Sequence, residues 1–175
     1  KCYHKENIDS IAALKKKSKT KNTYYILRHG HSDRQISNVM SSLPTDKVAL
    51  TKKGKTQIIA LAKKLKSKNI DAVFSSDLLR TKETAKLIAK ELKLSVSYEK
   101  KLREVNVGSL NGRKVQEIKT VWGKKNETEA EHFLRRFVDP LPGGEEWVDV
   151  QRRMLNLIAD LEQKHERKAS LLISH

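Results

Sequence analysis

The sequence predicts an α/β fold with a mainly parallel sheet. Short apolar runs rich in β-branched and aromatic residues alternate with amphipathic stretches of helical period. The chain has 175 residues, enough for one domain with a real core. Charged and titratable residues also follow directly on the apolar runs, where parallel sheets bind ligands.

Residues 1–22 read as a basic arm, helical or partly disordered, because "IAALKKK" has helical period but little apolar surface. Residues 23–28, "TYYILR", read as a buried strand ending at Gly30. "SNVMSSLPTDKVA" is a loop carrying Pro44. "LTKKGKTQIIALAKKLKSKN" is a helix, with Ile58, Leu61, Ala62 and Leu65 on one face and Thr51 as N-cap. Residues 70–75 form the second strand. A helix from Asp77 to Leu92 follows, with Leu78, Thr81, Ala85, Ile88 and Ala89 on one face. "LSVSYE" is a third short strand, and a short helix is expected after Gly112. Residues 127–138 are a further helical piece, and "DPLPGGEEW" is a loop by its prolines and glycines. A long amphipathic helix from Trp147 to His165 carries Val150, Met154, Leu157, Ile158 and Leu161. "KASLLISH" is the last strand, ending at His175.

Hydrophobic residues make up 37% of the chain, and the net charge is +16. Such a field attracts polyanions, anionic membrane surfaces and phosphorylated small molecules without choosing among them. The dense run "LKKKSKTK" is either a nucleic-acid patch or a solvated lead-in. Cys2 is the one cysteine, so no internal disulfide forms, which fits a reducing, cytoplasmic location. No apolar run approaches the roughly 18 residues that cross a bilayer. The first residues lack the apolar core of a signal peptide. Without an initiator methionine, the chain reads as a domain of something longer.

The residues past each strand form a constellation. The first strand ends in Arg28-His29-Gly30, and the second in Ser75-Ser76-Asp77 with Arg80 one turn on. The third is followed by Arg103-Glu104, and the last ends in Ser174-His175. A core needs none of these, since charged side chains are rarely buried without a partner. Arginine forks and imidazoles gathered at one sheet edge suit a phosphate dianion. Singly, each piece has an ordinary reading: Gly30 as a tight turn or positive φ, Arg80 as a surface residue, Glu104 as half of a surface ion pair.

Taken in order, "RHGHS", "LTKKGKTQ", "SSDLLRTKETA", "LREVNVGSLNG", "PGGE" and "LLISH" resemble the motifs of the histidine phosphatase superfamily, the group of phosphoglycerate mutases and related phosphatases. The resemblance covers residues 23–175 and implies a three-layer, phosphoglycerate mutase-like sandwich. It implies His29 as the nucleophile that carries a phosphohistidine, and Arg28, Arg80 and His175 as the phosphate clamp. Glu104 is implied as general acid and base. Physical chemistry agrees: a neutral imidazole attacks at neutral pH, and guanidinium groups offset transition-state charge. A carboxyl beside a phosphate dianion should keep its proton. No metal or other cofactor is expected, although His29 and His31, two apart, could share one.

The match has departures. His31 stands where relatives often carry Glu or Gln. Gln35 takes the place of a usual Asn, with Asn38 three residues on. Gln35 or Asn38 is therefore the expected amide contact to phosphate, with Arg103 a further substrate contact. Ser32 is read either as a donor to phosphate or as a helix N-cap. The resemblance also implies more chain after His175, and so a domain incomplete at its C-terminus. The resemblance implies a longer insertion between Glu104 and His175 in the mutases; the compact interval here looks more like the phosphatase branch, which favours phosphomonoester hydrolysis over phosphoglycerate mutase-type transfer. Trp122, His132, Arg135, Arg136 and Phe137 are candidate cap residues, and arginines there could read a second anionic group. A different class of reading remains: a phosphatase-like module of a larger protein, such as an insertion in an aminoacyl-tRNA synthetase, with RNA contact through the basic arm. The oligomeric state is not readable from the sequence.

Overall fold

The computed structural model describes residues 21–118 and 128–175. The basic arm therefore lies, for residues 1–20, outside the described residues, as do Trp122 and most of the helix expected after Gly112. Four parallel strands form one sheet: β1 (Thr23–Arg28), β2 (Ala72–Ser75), β3 (Val96–Tyr98) and β4 (Ala169–Ser174), in the order β1-β4-β2-β3. The helices are α1 (Asp33–Ser37), α2 (Lys52–Leu65), α3 (Leu79–Leu92), α4 (Glu129–Val138) and α5 (Trp147–Lys164).

The period of two along β4 builds the layers. Leu171 and Ile173 face one side, where they meet Val73, Ile58 and Ala62 of α2, and Ala85 and Ile88 of α3. Leu172, fully buried, faces the other side and packs with Phe74, Leu102, and Leu157 and Leu161 of α5. Apolar residues on both faces are what a strand between two helical layers requires. The three-layer arrangement is thus as expected. Thr51 caps α2, its hydroxyl accepting from the Gly54 N–H at 3.1 Å. A third, smaller cluster of Met40, Val107 and Leu110 lies beneath the loops past the strand ends.

The reading of residues 23–28 as a buried strand is corrected. Among the described residues β1 pairs only with β4, and Ile26 is 68% exposed. An apolar run identifies a strand but not its place in the sheet. Of the two readings of Gly30, the positive φ is corrected. The residue does not adopt a positive φ; a Cβ there would lie 2.8 Å from Ile58 Cγ1 and 3.0 Å from the Gly54 carbonyl. The turn after β1 packs directly on the first turn of α2. Gly54 completes that contact from the other side, because a Cβ on it would lie 2.0 Å from the His31 carbonyl oxygen.

Gly54→Ala is expected to destabilise the fold by about 1–3 kcal/mol, since backbone cannot yield as a flexible side chain does. Thermal unfolding of the variant checks this, and a melting temperature equal to that of the parent chain contradicts the close packing.

Candidate active site

Strand register brings the two imidazoles together. Arg28 of β1 is the partner of Ser174 of β4, and the His29 N–H donates to the Ser174 carbonyl at 3.1 Å. The Ser76 N–H donates to the Ile173 carbonyl at 3.1 Å, so the end of β2 meets the same place. The His29 and His175 ring centroids lie 5.3 Å apart, tilted by 58°.

His29 is buried, and its Nδ1 lies 2.8 Å from the Gly30 carbonyl. A carbonyl only accepts, so Nδ1 carries the proton and the lone pair is on Nε2. That lone pair faces the Arg80 Nε–H at 3.2 Å. Burial holds the His29 pKa down to about 4, and the charges of Arg80, Arg28 and Arg34 lower it further against the rise from the Gly30 hydrogen bond. The ring is therefore neutral at pH 7. His175 sets its Nε2 against the Ser76 hydroxyl at 2.7 Å, and Ser76 continues to the Thr81 hydroxyl at 2.6 Å. Burial and the nearby Arg80 push the His175 pKa down to about 2. Its Nδ1 is buried with no hydrogen-bond partner.

Arg80, the second residue of α3, is the largest fully buried side chain among the described residues, with 1% exposure. The surface reading of this residue is thus overturned. Its terminal nitrogens donate to the Ser41 hydroxyl at 3.2 Å and the Ser41 carbonyl at 3.0 Å. One carboxylate, Glu104, stands 3.8 Å away. Burial lowers the Arg80 pKa to about 10, so it stays charged at neutral pH. Ser41 escaped sequence reasoning because it lies in the Pro44 loop. That loop is held by Asp46, which accepts from the Ser41 hydroxyl at 2.9 Å, the Leu43 N–H at 3.0 Å and the Asn111 amide at 3.1 Å.

Glu104 is held from behind. Arg153 of α5 donates to the Glu104 carbonyl at 3.1 Å and to the Lys101 carbonyl at 2.6 Å, while its Nε–H meets Glu145 at 3.1 Å. Glu145 of "PGGE" also accepts from the Asn106 N–H at 2.9 Å. A Cβ on Gly144 would lie 2.4 Å from the Asn106 carbonyl, so this glycine lets the two loops touch. Arg153 and the "PGGE" loop therefore position the carboxylate segment, a role no local pattern reveals.

The remaining candidates are placed as follows. Arg28 is exposed at the end of β1 and lines the central cavity. Arg103 forms a two-pronged pair with Asp77, one bond at 2.6 Å, so its fork is already occupied. Ser32, fully buried, follows the capping reading: its N–H and hydroxyl both donate to the Gln35 amide oxygen, at 2.9 and 2.7 Å. Asn38 is exposed and ends α1 with φ of 53°. His31 bonds the Thr51 hydroxyl at 2.9 Å through Nδ1. Among the described residues no group of three metal-ligating side chains is present. Of the candidate cap, Arg135 pairs with Asp139 at 3.4 Å, whereas the side chains of His132, Arg136 and Phe137 lie outside the described residues. No helix among the described residues is long and apolar enough to cross a membrane.

A cavity of about 440 Å³ opens over these groups. Arg28, Arg34, Ser41, Glu104 and His175 line its polar end, with His29 and Arg80 directly behind them. Met40, Val105, Val107, Val115, Ile118, Leu141 and Trp147 give it apolar lining, and Asp139 and Glu145 line it as well. Two imidazoles, a buried guanidinium and two more at the cavity, with Glu104 beside them, are an arrangement suited to holding an anion such as a phosphate.

The family model of the histidine phosphatase superfamily (branch 1) matches residues 24–175, and the chain belongs to that superfamily. It is similar to the probable phosphoglycerate mutase GpmB of Escherichia fergusonii, 29% identical over 160 residues that are 86% of this chain and 68% of the relative. Among solved structures it is similar to Bacillus stearothermophilus YhfR, with TM-score 0.74 and 25% identity over 88% of this chain and 74% of the other. It is also similar to a mycobacterial glucosyl-3-phosphoglycerate phosphatase solved with VO3, with TM-score 0.70 and 27% identity over 85% of this chain and 73% of the other.

Two outcomes follow from the buried charges. Arg80→Met should leave the ligand-free melting temperature unchanged or higher, because it removes a buried cation, and should abolish thermal stabilisation by added phosphate. A marked loss of stability without phosphate contradicts this. The depressed histidines set an acid limit. The unfolded chain takes up protons below about pH 6.5, while folded His29 resists until about 4 and His175 until about 2. Stability should therefore fall as pH drops through this window and show no contribution from these groups above it. In His29→Gln the fall between pH 6.5 and 4 should be shallower in urea titrations.

Proposed function

We propose that this chain hydrolyses phosphomonoesters through a phosphohistidine on His29. Nε2 of the neutral ring attacks phosphorus, and the ester P–O bond breaks as Glu104 gives its proton to the leaving oxygen. A water then attacks the phosphorus, Glu104 takes its proton, and the N–P bond breaks to release inorganic phosphate. Arg28, Arg80 and His175 hold the phosphoryl oxygens. The observation that carries this reading is the Arg80 N–H on the Nε2 lone pair of His29, with a second imidazole beside it. As a phosphoryl group arrives, that N–H passes to one of its oxygens and the lone pair is released for attack. The Gly30 carbonyl, bonded to Nδ1–H, supports the positive charge that the ring gains.

The Ser76 and Thr81 hydroxyls fix the orientation of His175 through Nε2, and His175 lines the cavity. Phosphorylated small molecules are the substrates of this reading, and no cofactor is invoked. Ser32 and Gln35 serve the turn that presents Arg28 and His29 rather than touching phosphate, and Arg103 serves the Asp77 loop.

A second reading is intramolecular phosphate transfer, favoured by the relative named a probable phosphoglycerate mutase. Hydrolysis is preferred because the mycobacterial phosphatase shares the fold at comparable identity. Incubation with a phosphoglycerate separates the two: isomerisation with negligible release of inorganic phosphate replaces hydrolysis by transfer.

Acid-labile phosphate should appear on His29 when the protein is quenched during turnover of p-nitrophenyl phosphate, and should be missing in His29→Gln. Glu104→Gln should slow hydrolysis of alkyl phosphates by about 10²–10³-fold. In single-turnover formation of the phosphoenzyme it should slow release of nitrophenolate far less, because nitrophenolate leaves without a proton. Equal losses in that first step on both substrates remove Glu104 from the acid role.

A further inference from the structure

Arg34 was not singled out by the sequence, and the phosphoryl reading does not use it. It lies in the second position of α1, six residues past Arg28. The capping box between Ser32 and Gln35 fixes this turn, and the Asn38 N–H closes it on the Arg34 carbonyl at 2.9 Å. The side chain lines the same cavity as Arg28, Glu104 and His175. Its Nε is buried and has no hydrogen-bond partner, and the guanidinium makes no ion pair among the described residues.

The carboxylates in that cavity are engaged elsewhere. Glu145 accepts from Arg153, Asp139 pairs with Arg135, and Glu104 faces Arg80. Arg28 and Arg80 already balance a phosphate dianion once Glu104 carries its proton. Arg34 is then a surplus positive charge in a cavity that Met40, Val107, Val115, Leu141 and Trp147 also line. A buried donor without an acceptor is costly. An anionic group on the ligand removes that cost.

Resting on the phosphate site argued above, we propose that Arg34 is a specificity residue that binds a second anionic group of the substrate. The preferred substrates are phosphomonoesters with a mainly apolar body bearing a carboxylate. The phosphate lies against His29, the body lies on the apolar wall, and the carboxylate pairs with the Arg34 fork. Its field also reaches His29 and His175, whose protonation it disfavours, so the arginine lies close to the reacting groups.

The test uses two phosphonates, which have no ester bond to cleave: benzylphosphonate and 4-carboxybenzylphosphonate, titrated calorimetrically into the protein. The carboxylated ligand should bind about tenfold more tightly, and Arg34→Gln should bring the ratio of the two affinities to about one. Arg34→Lys, which keeps the charge but not the fork, should retain part of the preference. A ratio near one in the parent chain overturns the proposal. So does an unchanged ratio in Arg34→Gln, including a loss of both affinities together, which assigns Arg34 to the phosphate itself. Absence of any phosphonate binding removes the phosphate site, and the proposal with it.

Discussion

A guanidinium taken wholly out of water at the carboxyl edge of the sheet is the constraint on which the rest of the site depends. Arg80 has 1% exposure and a single carboxylate at 3.8 Å. Burying such a charge costs several kcal/mol unless its hydrogen bonds are well met. The protein meets them with one serine of a loop, presented twice, and with the ring nitrogen of His29. The loop is in turn tied by Asp46 to Asn111. Without an anion this is a poor set of partners for a full positive charge. Under the proposed function, a phosphate dianion in contact makes it a preorganised clamp.

The parallel sheet supplies the precision. In-register pairing of β1 with β4 sets His29 one residue beyond Arg28, and His175 one residue beyond Ser174, on neighbouring strands. Their spacing is therefore a property of backbone hydrogen bonds rather than of flexible side chains. Two close glycine contacts extend this rigidity: Gly30 and Gly54 press the turn after β1 onto α2, and Gly144 lets the "PGGE" loop touch the segment that carries Glu104. Arg153 completes the arrangement by gripping the backbone of that segment from α5.

The cavity is lined by these groups and by apolar residues of the cluster of Met40, Val107 and Leu110. Under the proposed function these parts serve two tasks. The part assigned to phosphate is built from strand termini and a buried arginine. The walls come from loops, which vary more readily without disturbing the sheet. Arg34 stands where the two meet, on a helix of five residues that follows the first strand directly.

The strands, the helical faces of α2, α3 and α5, the Thr51 cap and the superfamily were all legible in the sequence. Period, propensity and motif order are local properties, and each is carried by residues within a few positions of one another. The edge position of β1, the burial of Arg80, the engagement of Arg103 by Asp77, and the supporting roles of Ser41, Arg153 and Glu145 were not legible. Each depends on a contact across the fold: Arg80 meets His29 across 51 positions, and Ser76 meets His175 across 99. An arginine on a helix looks the same in sequence whether it faces water or is buried against a sheet edge. Its burial was decided by the order of the strands, because that order determines which side chains share one edge of the sheet.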